Sequence, residues 1–311
     1  MSASVVYPNA TLPFNDPLRQ PSAHVQGDAY MQLACFQSNR GLRQMDYARF
    51  VQSAQTLGYT AIDVPLSVED AAAQCRLLGL NVGAAGPLVP ADLSPDAARQ
   101  EEIVNSFKTT IDSLAAQEIP VLVCLIGRDV TRNGNENIAI YKDVFTPIAA
   151  HAEDKGVRLA FENWPRNGTM LAITPELWDG MFNAVPSNAI GLCYDPSHFY
   201  WLGIDYIQPI WDFSDRIYHA HAKDTEILDA GQNYFGIYGR QLEETEPRQW
   251  WRYRLPGYGA VDWTAYLDTL YQIGYDGILS VEHEDPVWEE TPEKALRGLQ
   301  LAQQFLQPFL S

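Results

Sequence analysis

Eight times along this chain a short apolar run gives way to an amphipathic stretch, and that rhythm restricts the fold more than any other feature. Gln32 to Phe36 precedes Asp46 to Gly58, Ala61 to Leu66 precedes Val68 to Leu78, and Asn81 to Ala85 precedes Asp96 to Gln117. Val121 to Ile126 is followed by Asn135 to Lys155, Arg158 to Asn163 by Pro175 to Val185, and Ile190 to Asp195 by Tyr206 to Arg216. The last units are Tyr218 to Asp224 with Asp262 to Ile273, and Gly277 to Glu282 with Pro292 to Phe309. Short apolar strands alternating with helices of moderate length mean parallel βα units. Eight such units predict a single (β/α)8 TIM barrel rather than an open sheet. Gly58, Gly79, Gly156 and Gly274 each stand just before a strand, where a left-handed residue ends a helix. An open doubly wound sheet shares the rhythm, but no GxGxxG follows the first strand. The expected organisation is an N-terminal arm (1–30), a barrel (31–311) and an insertion (225–258) between the seventh strand and its helix.

Charge narrows the partners. The 39 acidic and 21 basic residues leave a net charge of -18, which opposes nucleic acid, since binding it requires cationic side chains to neutralise phosphates. Much of this charge serves solubility, and the rest suits a neutral substrate beside a bound cation. Cys35, Cys75, Cys124 and Cys193 form no CxxC pair and match neither a zinc ribbon nor a disulfide framework, so a reducing compartment is expected. The first 29 residues lack the apolar core of a secretory signal, and no apolar run approaches the roughly 20 residues of a membrane span. A cytoplasmic enzyme with no membrane partner is the expectation.

In such barrels chemistry sits at the C-terminal ends of the strands. Those ends become informative from the fifth strand onward. "LAFENWP" places Glu162 at one end, "GLCYDPSH" places Asp195 with His198 a turn further, and "LSVEHED" places Glu282. "YHAHAKD" puts His219, His221 and Lys223 on one face by the period of two. Polar side chains ending apolar strands are costly to bury unless paired or liganded. Each alone reads as a cap, a salt bridge or a satisfied histidine. Two Glu, one Asp and one His recurring in four successive units instead make an oxygen/nitrogen site for one divalent cation, with Mn²⁺, Co²⁺, Mg²⁺ and Zn²⁺ all compatible.

These motifs resemble the sugar isomerase/epimerase superfamily with the xylose-isomerase-like barrel, which includes tagatose-type epimerases, inosose dehydratases and a zinc endonuclease barrel. "FENWP", "DPSHFYWLGID" and "HAHAKD" followed by "PGYGAVDWTAYLDTLYQIGYDGILSVEHEDP" carry the resemblance, which spans nearly the whole chain after Met31. It implies Glu162, Asp195, His221 and Glu282 as metal ligands, His198 as a substrate contact beside the metal, and Glu162 and Glu282 as the acid/base pair. The arginine that often follows the seventh strand in epimerases has no match, because "KDTEIL" stands there.

Physical reasoning assigns the same chemistry. Moving a proton on a carbon next to a carbonyl requires stabilising an enediolate, which a chelating divalent ion does as a Lewis acid. Two carboxylates on opposite faces of the substrate take the proton from one side and return it on the other. A leaving group β to the carbanion would divert the same intermediate to elimination. A metal-dependent isomerase or epimerase is therefore the leading reading. A lyase or dehydratase on a keto-sugar, inosose or 3-keto-glycoside comes second. A non-catalytic or endonuclease-type barrel comes last, because the second and third strands end in "DVPLS" and "GAAGP" without histidine. The insertion holds Tyr234, Phe235, Tyr238, Trp250, Trp251, Tyr253 and Tyr258 interleaved with Arg248, Arg252 and Arg254. Loops beyond about 12–15 residues are usually functional or disordered, and this aromatic density opposes disorder. It is expected to act as a lid, with Trp251, Arg252 and Arg254 joining His198, His219 and Lys223 as contacts to a small sugar or polyol. Packing within the loop and a homo-oligomer contact are the competing roles.

Overall fold

Strands buried on both faces need no alternation, and "VLVC", "AIDV" and "IGLCY" are buried at every residue. The computed structural model describes residues 31–90, 92–237 and 250–310. The arm expected at 1–30, and Tyr238 and Arg248 of the insertion, lie outside the described residues. In chain order the strands are β1 (Gln32–Cys35), β2 (Ala61–Val64), β3 (Asn81–Leu88), β4 (Val121–Cys124), β5 (Arg158–Glu162), β6 (Ile190–Tyr194), β7 (Ile217–Ala222), β8 (Asp224–Ile227), β9 (Trp251–Arg254) and β10 (Ile278–Val281). β1 to β7 and β10 form a closed parallel barrel, sealed where β10 pairs with β1 from Gln32↔Ile278 to Cys35↔Val281. β8 and β9 pair antiparallel outside it.

The helices are α1 (Tyr47–Thr56), α2 (Ala71–Leu77), α3 (Ala97–Ala116), α4 (Gly134–Lys155), α5 (Pro175–Ala184), α6 (Pro196–Leu202), α7 (Gln208–Asp212), α8 (Asp229–Phe235), α9 (Trp263–Gln272) and α10 (Pro292–Leu306). Local chemistry sets their ends. Asp46, Asp96, Asn133, Thr174, Asp262 and Thr291 cap N-termini through their side chains, each accepting from a backbone N–H in the first turn. Gly156 closes α4 at φ 68°, a conformation that costs a Cβ-bearing residue energy. One unit departs from expectation. Instead of one helix from Tyr206 to Arg216, two short helices follow β6, because Asp195 and Pro196 start α6 at once and Gly203 ends it at φ 71°.

Between the outer helices and the barrel wall lie buried aromatic contacts. Tyr141 stacks on Phe145 at 4.6 Å, and Phe145 meets Phe161 of β5 edge-on at 5.2 Å. Fully burying such a ring stabilises the fold by about 1.5–3 kcal/mol, so α4 holds β5 firmly under the site. All four cysteines are free and buried. No helix among the described residues is long and apolar enough to cross a membrane.

Candidate metal centre

Barrel order makes neighbours of residues far apart in sequence. β5, β6, β7 and β10 are adjacent, and Glu162, Asp195, His221 and Glu282 stand at or just beyond their C-terminal ends. One ligand atom from each lies within 4.8 Å of every other, and all four side chains are buried. Local structure aims them. Asp195 is the N-cap of α6, and its Oδ1 accepts from the Ser197 N–H at 2.8 Å, which turns Oδ2 toward the cluster. Asn163 clamps the β5 and β6 ends together: its Nδ2 donates to the Asp195 carbonyl and its Oδ1 accepts from the Asp195 N–H, both at 2.9 Å.

His221 Nδ1 faces the carboxylates, 3.2 Å from Glu282 Oε2 and 3.6 Å from both Glu162 Oε1 and Asp195 Oδ2. Its Nε2 lies 3.4 Å from Cys193 Sγ. Burial opposes charge on Glu162, Asp195 and His221, yet attraction to their neighbours prevails. Burial would raise Glu162, but His198 and His221 hold its carboxyl well below the usual range. Asp195 is likewise lowered against its burial by Lys223, His198 and His221. Burial would lower His221, but Cys193 and Glu282 push it up. Asp195 Oδ2 and His221 Nδ1 are buried without a well-formed hydrogen bond, although the Lys223 ammonium approaches Asp195 Oδ2 at 3.1 Å. Orphaned lone pairs inside a carboxylate–imidazole cluster are what a divalent cation satisfies, and hard oxygens with one nitrogen fit Mn²⁺, Co²⁺, Mg²⁺ or Zn²⁺. Cys193, His219 and His221 form a second cluster of ligand-type atoms. Burial pushes the Cys193 thiol up to about 12, and a neutral imidazole offers one lone pair only. Cys193 therefore fits as the outer partner of His221.

The remaining candidates separate into two groups. His198 joins the centre: Nε2 lies 3.2 Å from Glu162 Oε1, and Nδ1 is 3.0 Å from the Tyr253 hydroxyl. Lys223 joins it too, fully buried, with Nζ 2.5 Å from Glu282 Oε2, 3.1 Å from Asp195 Oδ2 and 3.3 Å from Glu284 Oε2. His219 does not open toward the mouth. It lies inside the barrel with Nε2 2.8 Å from Asp63 Oδ2 of β2. Arg252 and Arg254 also turn elsewhere. Both reach Glu226 Oε2, at 2.7 and 2.5 Å, and Arg254 Nε donates to Asp285 at 2.9 Å. Strand periodicity explains the split, since Trp251 and Tyr253 alternate with the arginines along β9 and take the other face. Trp251 stacks on Trp201 of α6 at 4.4 Å and meets Tyr253 edge-on at 4.7 Å, so it forms packed wall more than open surface.

Sequence reasoning missed Asp63, Asn163, Cys193 and Glu284. The doublet "EHED" was the visible signal for Glu284, whose carboxyl burial raises to about 7. Asp63 stood in an apolar strand, a cue that a buried partner had to exist.

Known proteins with related chains share the architecture. The chain is 30% identical over 177 residues to the uncharacterized protein YfiH of Bacillus subtilis, covering 55% of this chain and 53% of that one. It is 25% identical over 190 residues to an inosose isomerase of Bacillus velezensis, covering 60% and 61%. The matches thus span about half to three-fifths of these relatives. Among solved structures, an IolI protein with a bound zinc atom superposes with a TM-score of 0.69 at 22% identity, covering 90% of this chain and all of that one. D-psicose 3-epimerase from Clostridium cellulolyticum H10, crystallised with D-tagatose, gives 0.68 at 16%, with the same coverage. At these identities the structural likeness concerns the fold. Residues 49–305 match the family described as the xylose isomerase-like TIM barrel, and the chain belongs to that family.

Proposed function

We propose that this chain is a divalent-metal-dependent sugar isomerase or epimerase, moving a proton next to a carbonyl through an enediolate. The carrying observation is that two carboxylates, Glu162 and Glu282, reach one buried cluster from strands on either side of β6 and β7. A bound divalent ion would supply a Lewis acid for the carbonyl oxygen and neighbouring hydroxyl of the substrate. Glu162, Asp195, His221 and Glu282 would hold it. Glu162 serves as a base because His198, whose Nε2 lies 3.2 Å from Oε1, and the nearby His221 keep it ionised despite burial. Glu282 serves as its counterpart across the substrate, giving epimerisation when both act and isomerisation when the proton returns on one side. His198, whose Nδ1 lies 3.0 Å from the Tyr253 hydroxyl, would orient the substrate, and the paired β8 and β9 would serve as part of a lid. A small sugar or polyol suits a neutral ligand in an acidic protein, and the inosose isomerase and epimerase among the similar proteins support that class.

A lyase reading has one observation of its own. Glu284, two residues past Glu282, sits at the edge of the cluster with Oε2 3.3 Å from Lys223 Nζ and its side chain partly exposed, a place from which a carboxyl could protonate a leaving hydroxyl. One experiment tests both. Protein loaded with Mn²⁺ is screened against ketoses, inososes and 3-keto-glycosides in deuterated water. Isomerisation or epimerisation places deuterium on the product carbon, whereas elimination yields a product lacking the leaving group. Chelator should abolish turnover, and Glu162→Gln and Glu282→Gln should each lower kcat by at least about 10²-fold. Turnover that survives chelator, or that is normal in both variants, overturns the proposal.

A further inference from the structure

Lys223 is an unusual neighbour for a cation site. Long ammonium side chains are almost never fully buried unless paired, and this one is 1% exposed. It has four partners: Glu282, Asp195, Glu284, and the face of Tyr253, whose ring centroid lies 4.4 Å from Nζ. Two of those contacts are made to particular atoms. Asp195 Oδ2 and Glu282 Oε2 are the same oxygens that approach His221 Nδ1 at 3.6 and 3.2 Å. The ammonium and a divalent ion held by the four candidate ligands would therefore share two oxygens.

Charge counting gives the contact a purpose. Glu162, Asp195 and Glu282 bring three negative charges to the cluster, a divalent ion returns two, and one is left over. Lys223 supplies the missing positive charge from against the Tyr253 ring of β9.

We propose that Lys223 is the charge-balancing cation of the metal centre, which weakens the ion's hold on its ligands and stabilises negative charge developing on the substrate. This rests on the metal-dependent reading of the site. Its consequences run in opposite directions. Removing the ammonium deepens the negative potential at the cluster, so a divalent ion binds more tightly. The same removal leaves an anionic intermediate facing uncompensated carboxylates, so turnover falls. A merely structural lysine would weaken both.

The test is Lys223→Met, which keeps the stem under the Tyr253 ring, beside Lys223→Gln, which keeps a hydrogen-bond donor without charge. Mn²⁺ affinity is measured by calorimetry and by competition with a chromophoric chelator, without substrate, on the full chain. Both variants should bind Mn²⁺ at least about tenfold more tightly than the wild type, while kcat falls by about 10²-fold. Affinity equal to or weaker than wild type in both variants overturns the proposal. A variant unfolded without metal yet restored by Mn²⁺ supports it, because unpaired carboxylates then depend on the ion. One that Mn²⁺ fails to restore counts against it. Failure of the wild type itself to bind Mn²⁺ would sink the metal reading as a whole, so the two failures are distinguishable.

Discussion

Asp224 should be the residue whose loss most damages the join between barrel and insertion. It is fully buried, and its two oxygens collect five donors. Oδ2 accepts from the Gly257 and Gly259 N–H groups at 3.0 Å and from Trp263 Nε1 at 2.9 Å. Oδ1 accepts from Val261 N–H at 3.0 Å and Thr225 N–H at 2.8 Å. Asp224→Asn keeps the shape but must place an NH₂ against one of these sets. The better orientation gives up Oδ1 and loses two bonds, each worth about 1.5–3 kcal/mol because the acceptor is charged. A loss of roughly 3–6 kcal/mol follows, or a fall of about 5–9 °C in Tm for a chain of this size. Urea unfolding measures it, with Asp262→Ala as control: that residue caps α9 from an exposed position, and its removal should cost about 1 kcal/mol. Hydrogen exchange at Thr225 and Val261 should quicken in Asp224→Asn alone. A loss under about 1 kcal/mol with an unchanged urea slope would refute the reasoning, since it would mean that water replaces the carboxylate without penalty.

Two further outcomes are expected. Burial holds His283 down to about 4, so below pH 6.5 the unfolded chain takes up a proton that the folded one refuses, and stability falls as pH drops from about 6.5 to 4 by roughly 3 kcal/mol. His283→Asn should remove that slope, and unfolding curves for the two proteins that stay parallel across the window would contradict it. Trp251→Ala should lower stability by about 3 kcal/mol by removing the stack on Trp201, and should reduce kcat/KM through a displaced Tyr253. A melt and gel filtration check this, and an unchanged melt with an altered association state would move the indole from packing to assembly.

Much of the architecture was legible because a barrel strand announces itself locally. "VLVC" and "IGLCY" need only their own composition, and the glycines before β2, β3, β5 and β10 all adopt positive φ. The candidate ligands were legible for a related reason, as each ends an apolar run where a charge is conspicuous. Partnerships across the barrel left no such trace. Asp63 and His219 are 156 residues apart, and nothing in "AIDVP" says which strand answers it. The arginines of β9 misled by proximity. Their alternation with aromatics suggested one binding surface, whereas the pleat sends the two types to opposite faces and Glu226, opposite Arg252 in register, takes the charge. The unit after β6 went astray because a helix of seven residues gives too few turns for periodicity to register.

The paired bonds between Asn163 and Asp195 carry an evolutionary consequence. They fix the distance between two ligand-bearing strands through an amide and the main chain, so neither the Glu162 carboxylate nor the Asp195 side-chain oxygens take part. Alignment is thereby separated from coordination. A change of donor at position 162 would leave the register of β5 and β6 intact, so on the proposed metal reading it would alter the ion's surroundings without moving the strands. Losing Asn163 would instead release the strand ends that carry Glu162 and Asp195 from one another. A barrel clamped in this way can change its chemistry one side chain at a time, which suits a scaffold shared by isomerases and epimerases alike.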